Sequence, residues 1–142
     1  LSERGREKAL QLAASHGVEI AYEIADILHF PIIEQGPWDC IALIYAHLPP
    51  NIRRQVHSAC VQALRPGGFI VVEAFNPRQL IRTSGGPKQT DLLYTKEMLE
   101  EDFAGLKIVE ACEVTVILHE GPGHEGPAEV TRCFAQKHAS EK

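Results

Sequence analysis

The sequence has no apolar run near the ~20 residues needed to cross a bilayer, no C-x-x-C pair of cysteines and no surplus of positive charge. Each lack removes a class of protein. Without a long apolar run or a leader-like first segment, a cytoplasmic protein without membrane contact is expected. With 14 Lys and Arg against 19 Asp and Glu, a net charge of −5 and a pI near 5.8, no nucleic acid partner is expected, because phosphate binding needs cations to displace counterions. Cys40, Cys60, Cys112 and Cys133 are far apart and lie in apolar runs, so they read as buried free thiols rather than a disulfide or zinc framework. Cys40 and Cys60 make poor nucleophiles in such settings, because a reactive thiolate needs exposure and nearby positive charge. His119 and His124 flank a glycine–proline turn beside Glu120 and Glu125, but the spacing is neither H-x-x-x-H nor H-E-x-x-H. A hairpin tip or a wall of the substrate pocket is expected there, and no metal.

What is present is one ordinary globular domain. The 142 residues, 44% hydrophobic and 23% charged, suffice for a core without staples. Ser2 as N-cap, an apolar stripe at Ala9, Leu10, Leu12 and Ala13, and Gly17 as terminator predict a helix over 2–16. Val18 to Ile24 alternates apolar with polar and predicts a strand ending at Ala25-Asp26. Trp38 to Tyr45 is nearly continuous in apolar side chains, as in a central parallel strand covered on both faces. Helical spacing from Ile52 to Leu64 is stopped by Pro66-Gly67-Gly68, and Phe69 to Phe75 reads as the next buried strand. Asn76 to Asp91 is long for a connector, which marks it as a lid. Thr95 caps a short helix to Gly105, and two β-rich stretches, Leu106–Leu118 and Ala128–Lys137, flank the turn Gly121–Pro127. The fold class expected is α/β, a Rossmann-like, mostly parallel sheet with a C-terminal antiparallel hairpin.

Ala25-Asp26, Trp38-Asp39 heading a hydrophobic strand, His47-Leu48-Pro49-Pro50, and Leu64-Arg65-Pro66-Gly67-Gly68 before a strand carrying Glu73 together resemble a class I S-adenosylmethionine-dependent methyltransferase. Gly85-Gly86-Pro87-Lys88, Asp91 to Thr95 and Glu120 to His124 resemble the small bacterial tellurite-resistance and thiopurine-like branch. The resemblance covers essentially the whole chain but lacks the family's first two strands, its E/D-x-G-x-G-x-G loop and its ribose-binding acid, all of which it would place before Leu1. Residues 1–142 are therefore expected to be a partial methyltransferase domain. Either a longer protein or a homo-oligomer supplies the strands that the sheet edges need.

The resemblance implies S-adenosylmethionine as cofactor and methyl transfer to a small-molecule substrate, with a soft sulfur, selenium or tellurium nucleophile favoured by the lack of an evident acid–base dyad. It places Asp26 and Ile27 against the adenine, with capping of the loop as the alternative for Asp26. It places Tyr45, Ala46 and His47 after a strand's carboxyl end, where ligands gather in open α/β sheets. Tyr45 and Ala46 are thus cofactor-side candidates, and Tyr45 and His47 catalytic ones. His47 either takes a proton or orients substrate, or it packs and fixes the turn before Pro49. Asp39 is expected to be structural and Arg65 to complement a helix end. Arg78, Arg82 and Lys88 either hold an anionic substrate or are surface charges, and Tyr94 and Asp91 either cover the cofactor or anchor the next helix. Two other functions stay open: a non-catalytic or assembly fragment of the fold, and a nicotinamide-dependent Rossmann dehydrogenase.

Overall fold

The computed structural model describes residues 2–139. The chain divides after Pro31 into two compact units. The first contains α1 (Glu3–Ser15), whose N-cap Ser2 accepts a hydrogen bond from the Gly5 amide at 3.0 Å. Gly17, at φ +65°, ends it in the left-handed conformation that a Cβ disfavours.

The strand expected over Val18–Ile24 does not form. Val18, Ile20 and Tyr22 are 55%, 44% and 39% exposed, so their alternation buries nothing. Alternation marks a strand only where a neighbour takes its hydrogen bonds, and among the described residues none pairs with this segment. Beyond it, the Asp26 carbonyl accepts from the His29 and Phe30 amides, both at 2.9 Å, and closes a turn.

The second unit is built on a four-stranded sheet in the order β1-β2-β4-β3. β1 (Trp38–Ile44) runs parallel to β2 (Leu64–Phe75), and β3 (Lys107–His119) and β4 (Glu125–Gln136) form an antiparallel hairpin joined to β2 through β4. α2 (Pro50–Ala63) makes the crossover between the parallel strands, and α3 (Lys96–Asp102), capped by Thr95, precedes the hairpin. The chain is thus α/β, a Rossmann-like mixed sheet with its antiparallel hairpin at the C-terminal end.

Pro66-Gly67-Gly68 lies inside β2, at a bulge where the register with β1 slips between Trp38 and Cys40. A Cβ on Gly68 would meet the Arg65 and Trp38 carbonyl oxygens at 2.9 and 3.0 Å, so only glycine lets the two strands approach there.

One face of the sheet, with Ile41, Leu43, Ile70, Val72, Cys133 and Ala135, is buried with Val56, Cys60 and Ala63 of α2 and Leu99 of α3. The other face, with Cys40, Ala42 and Ile44 of β1, is exposed at that strand. Among the described residues β1 is therefore parallel but not central: it hydrogen-bonds on one edge only, and its continuous apolar run is covered on one side. That also corrects the thiols. Cys60 and Cys133 are buried, whereas Cys40 is exposed and Cys112 half-buried.

Between α2 and α3 lies a polar group inside the core. Asp102 accepts from Arg53 Nε and His57 Nδ1, each at 2.7 Å, and all three side chains are at most 4% exposed. Burial alone would raise the Asp102 carboxyl, but hydrogen bonds from His57 and Arg53 outweigh it and hold it below its ordinary range. His57 stacks on Phe103 at 4.8 Å between ring centroids, and the Arg53 guanidinium lies 5.5 Å from the Tyr94 ring centre.

Candidate functional site

The parallel strands β1 and β2 end side by side, Ile44 opposite Glu73, and the chain leaves β1 through Tyr45-Ala46-His47-Leu48. Tyr45 is the one non-glycine residue with positive φ among those described, at +51°. That conformation costs an ordinary side chain about 1–2 kcal/mol, so neighbouring contacts must hold it.

The holding contacts are specific. The Tyr45 amide donates to the Glu73 carbonyl at 2.7 Å, and its phenol donates to Glu73 Oε1 at 3.0 Å, while Arg132 Nε binds the other Glu73 oxygen at 2.5 Å. The Tyr45 and His47 rings both lie against Phe75, at 4.8 and 5.5 Å between centroids. His47 Nδ1 donates to the Leu92 carbonyl at 2.7 Å, which sets the tautomer: Nε2 is then the acceptor for the Phe75 amide, a longer contact of 3.3 Å. Tyr94, fully buried, donates its hydroxyl to the Ala46 carbonyl and accepts from the Leu48 amide, both at 2.7 Å.

The electrostatics follow from this packing. Burial, then the hydrogen bond to Glu73, pushes the Tyr45 phenol far above its usual range, so it stays protonated. Burial lowers His47 more than its bond to Leu92 raises it, so the imidazole is neutral near pH 7. The turn therefore offers a protonated phenol and a neutral, doubly bonded imidazole. Beside Glu73 and Arg132, Ile44, Val71 and Phe134 line a cavity of about 300 Å³ on the half-exposed face of the sheet.

The other expected residues are placed as follows. Asp26 and Ile27 belong to the first unit and are exposed. Asp26 accepts from the Leu28 amide at 2.9 Å and pairs with His29, the first of these contacts holding its carboxyl below the ordinary range. Asp39 and Arg65 form an exposed ion pair with each other rather than serving a helix end. Arg82 and Arg78 both pair with Glu129, which Thr115 also binds, so the two arginines hold the chain's own carboxylate. Lys88 and Asp91 are exposed.

The segment expected as a lid is anchored at several points. Asn76, Gln79, Ser84 and Leu93 are at most 2% exposed, Gln79 binds the Glu129 amide, and Ser84 donates to the Pro127 carbonyl. Gly85 lies against His124 and Gly123 of the hairpin so closely that a Cβ would fall 2.6 Å from the imidazole. His119 pairs with Glu125 at 2.7 Å, and no cluster of three or more metal-ligating side chains occurs among the described residues.

Phe75 and Arg132 were given no site role from the sequence, and Glu73 entered only as the acid carried by its strand. Only period-two alternation in β2 and β4 hints that Glu73 and Arg132 share a face, and their pairing spans 59 residues. Arg53 and His57 carried a signal, an i, i+4 pair on one helix face, but their acceptor lies on another helix.

This arrangement of strands, crossover and terminal hairpin is the Rossmann-like fold found in methyltransferases. No family model matches the sequence, and no similar curated protein is found. Solved structures do match in fold. TehB from Haemophilus influenzae superposes with a TM-score of 0.71 at 15% identity, over 96% of this chain and 47% of TehB. The N-methyltransferase NodS from Bradyrhizobium japonicum WM9 gives 0.68 at 16% identity, over 96% of this chain and 70% of NodS, and has also been solved in complex with S-adenosyl-l-homocysteine. The [4+2]-cyclase SpnF gives 0.68 at 14% identity, over 98% of this chain and 64% of that one. The chain spans about half the length of TehB. SpnF, as a cyclase, shows that the fold hosts more than one reaction.

Proposed function

We propose that this chain carries the acceptor side of an S-adenosylmethionine-dependent methyltransferase for a small molecule. The observation that carries the proposal is the strained turn at Tyr45, held by Glu73, Phe75 and Tyr94 at the carboxyl ends of two parallel strands, where ligands bind in open α/β sheets. Likeness of fold to a methyltransferase supports the reaction class.

The cofactor would supply an activated methyl group for direct displacement. The residues described fit it at one end only. Asp26 and Ile27 are exposed, and the Asp26 carboxylate has acceptor capacity left for an exocyclic N–H of adenine. No cradle for the methionine end is present among the described residues. The four glycines where an added Cβ would come under 3.0 Å, Gly36, Gly68, Gly85 and Gly86, make room for the chain's own atoms.

What this chain's own residues do is narrower. Tyr45 presents a phenol oxygen whose proton is held by Glu73, together with the edge of an aromatic stack, and Ala46 a backbone without side-chain bulk. His47 fixes the turn and does not serve as a free base, since its acceptor nitrogen already takes the Phe75 amide. A site with a protonated phenol and no free base suits an acceptor that is nucleophilic as it stands, such as a thiolate or a selenium or tellurium anion. Incubation with S-adenosylmethionine and a panel of thiols and amines tests this: methylated thiol is the expected product, and methylated amine alone would overturn the choice of acceptor.

The edge of β1 that no described residue pairs with, and its exposed Ile44 (54%), further support completion of the sheet, either by other residues of a longer protein or by a second copy. Sedimentation distinguishes these, a concentration-dependent dimer supporting the second copy. A non-catalytic fragment is the remaining reading, and specific micromolar binding of S-adenosylmethionine would exclude it.

A further inference from the structure

Tyr94 lies outside the turn it binds, 46 residues beyond Leu48, and it is wholly buried. Its hydroxyl is the common partner of the two residues flanking His47: it donates to the Ala46 carbonyl and accepts from the Leu48 amide, both at 2.7 Å. Its ring is 5.5 Å from that of His47 and 6.0 Å from that of His57, with the Arg53 guanidinium 5.5 Å from its centre. Its backbone is fixed too: its amide donates to the Phe75 carbonyl at 3.0 Å, and Thr131 Oγ1 donates to its carbonyl at 2.6 Å. One residue thus ties the strained turn at the end of β1, through its side chain, to β2 and β4, through its backbone, and to the Arg53–Asp102–His57 group between the helices. No other side chain among the described residues hydrogen-bonds the backbone of both Ala46 and Leu48.

We infer that Tyr94 is the positioning residue of the acceptor side, setting Tyr45 and His47 through hydrogen bonds to the backbone on either side of His47. The inference rests on the reading of that turn as the acceptor side. Its physical content is separate: without the hydroxyl, the left-handed Tyr45 has lost a main restraint, and the Ala46 carbonyl and Leu48 amide are half-buried without a partner. The aromatic packing of Tyr94 with His47, His57 and Arg53 does not need the oxygen, so Tyr94→Phe removes the bracing and keeps the ring.

The test is native-state hydrogen exchange and imidazole NMR on the full chain, comparing Tyr94→Phe with Thr131→Val. The second variant removes the other polar tether of Tyr94 without touching its hydroxyl. In Tyr94→Phe the Leu48 amide should exchange about tenfold faster or more beyond any change shared with amides of β2 and β4, and the protected His47 Nδ1–H resonance should be lost. In Thr131→Val both signals should change only as much as those core amides do. If the two variants alter Leu48 and His47 alike, in proportion to global stability, Tyr94 is a packing residue and the inference is overturned. Neither readout uses cofactor or acceptor. A protein that shows the Tyr94→Phe effect yet never binds S-adenosylmethionine would refute the methyltransferase reading and leave the bracing intact.

Discussion

Replacing Asp102 with alanine should be among the most destabilising single changes in the chain. Among the described residues Asp102 is the only carboxylate bonded to Arg53, whose side chain is 4% exposed, and it also accepts from His57 Nδ1. Removing it strands a buried guanidinium without an anion, which costs about 3–5 kcal/mol when one partner of a buried pair is lost. A domain of this size has a total stability of only ~5–15 kcal/mol. The double change Arg53→Met with Asp102→Leu should cost less than Asp102→Ala alone. It leaves the buried His57 Nδ1 without its partner, a penalty of about 1–3 kcal/mol. By contrast, Asp39→Ala breaks an ion pair whose side chains are 49% and 83% exposed and should change stability by under ~0.5 kcal/mol. Urea unfolding followed by circular dichroism measures all three. A loss below ~1 kcal/mol for Asp102→Ala, or a double variant less stable than the single one, would refute the claim that Arg53 is held as a buried charge.

Other consequences are as direct. His47 is lowered from 6.5 by burial, so between its folded and unfolded pKa values the unfolded chain binds the extra proton. Stability should therefore fall as pH drops below ~6.5, and this part of the pH dependence should vanish in His47→Gln, as thermal unfolding from pH 7.5 to 5 would show. Gly85→Ala puts a Cβ 2.6 Å from the His124 ring at φ +95°, and should cost about 1–3 kcal/mol while loosening loop 76–91 toward proteolysis. Cys40 should be alkylated rapidly in the native protein. Cys60 and Cys133, buried and with thiols pushed up to about 11, should react only on unfolding, which mass spectrometry after iodoacetamide treatment would reveal.

Features written in neighbouring residues were legible in the sequence. Ser2 and Gly17 bound α1 and Gly121 to His124 turn the hairpin, because caps and turns act over a few residues, whereas Pro66-Gly67-Gly68 falls inside β2, which begins at Leu64 directly after α2. Features that depend on a distant partner were not. The alternation of Val18 to Ile24 reads as a strand, yet strand formation needs a hydrogen-bonding neighbour that the described residues do not include. The apolar run of β1 reads as central and covered on both faces, yet among the described residues only one of its edges is paired and one of its faces covered, and the uncovered face leaves Cys40 exposed. Tyr45, Ala46 and His47 follow a strand, as their sequence position led one to expect. Their supports, Glu73, Phe75, Tyr94 and Arg132, come from three other segments and were brought together only by the fold. The glycine-rich length of loop 76–91 signalled a lid, but the buried polar side chains of Gln79 and Ser84 anchor it to the hairpin.

The central claim is that the turn from Tyr45 to His47 is a ligand-binding edge for an S-adenosyl compound. Titration of the isotopically labelled chain with S-adenosylhomocysteine, followed by amide NMR, tests it most directly. The account predicts saturable shifts at Tyr45, Ala46 and His47, weaker or absent in Tyr45→Ala, and none of them with NADH. Shifts confined to the hairpin tip, the same response to NADH, or no response at millimolar ligand would contradict it.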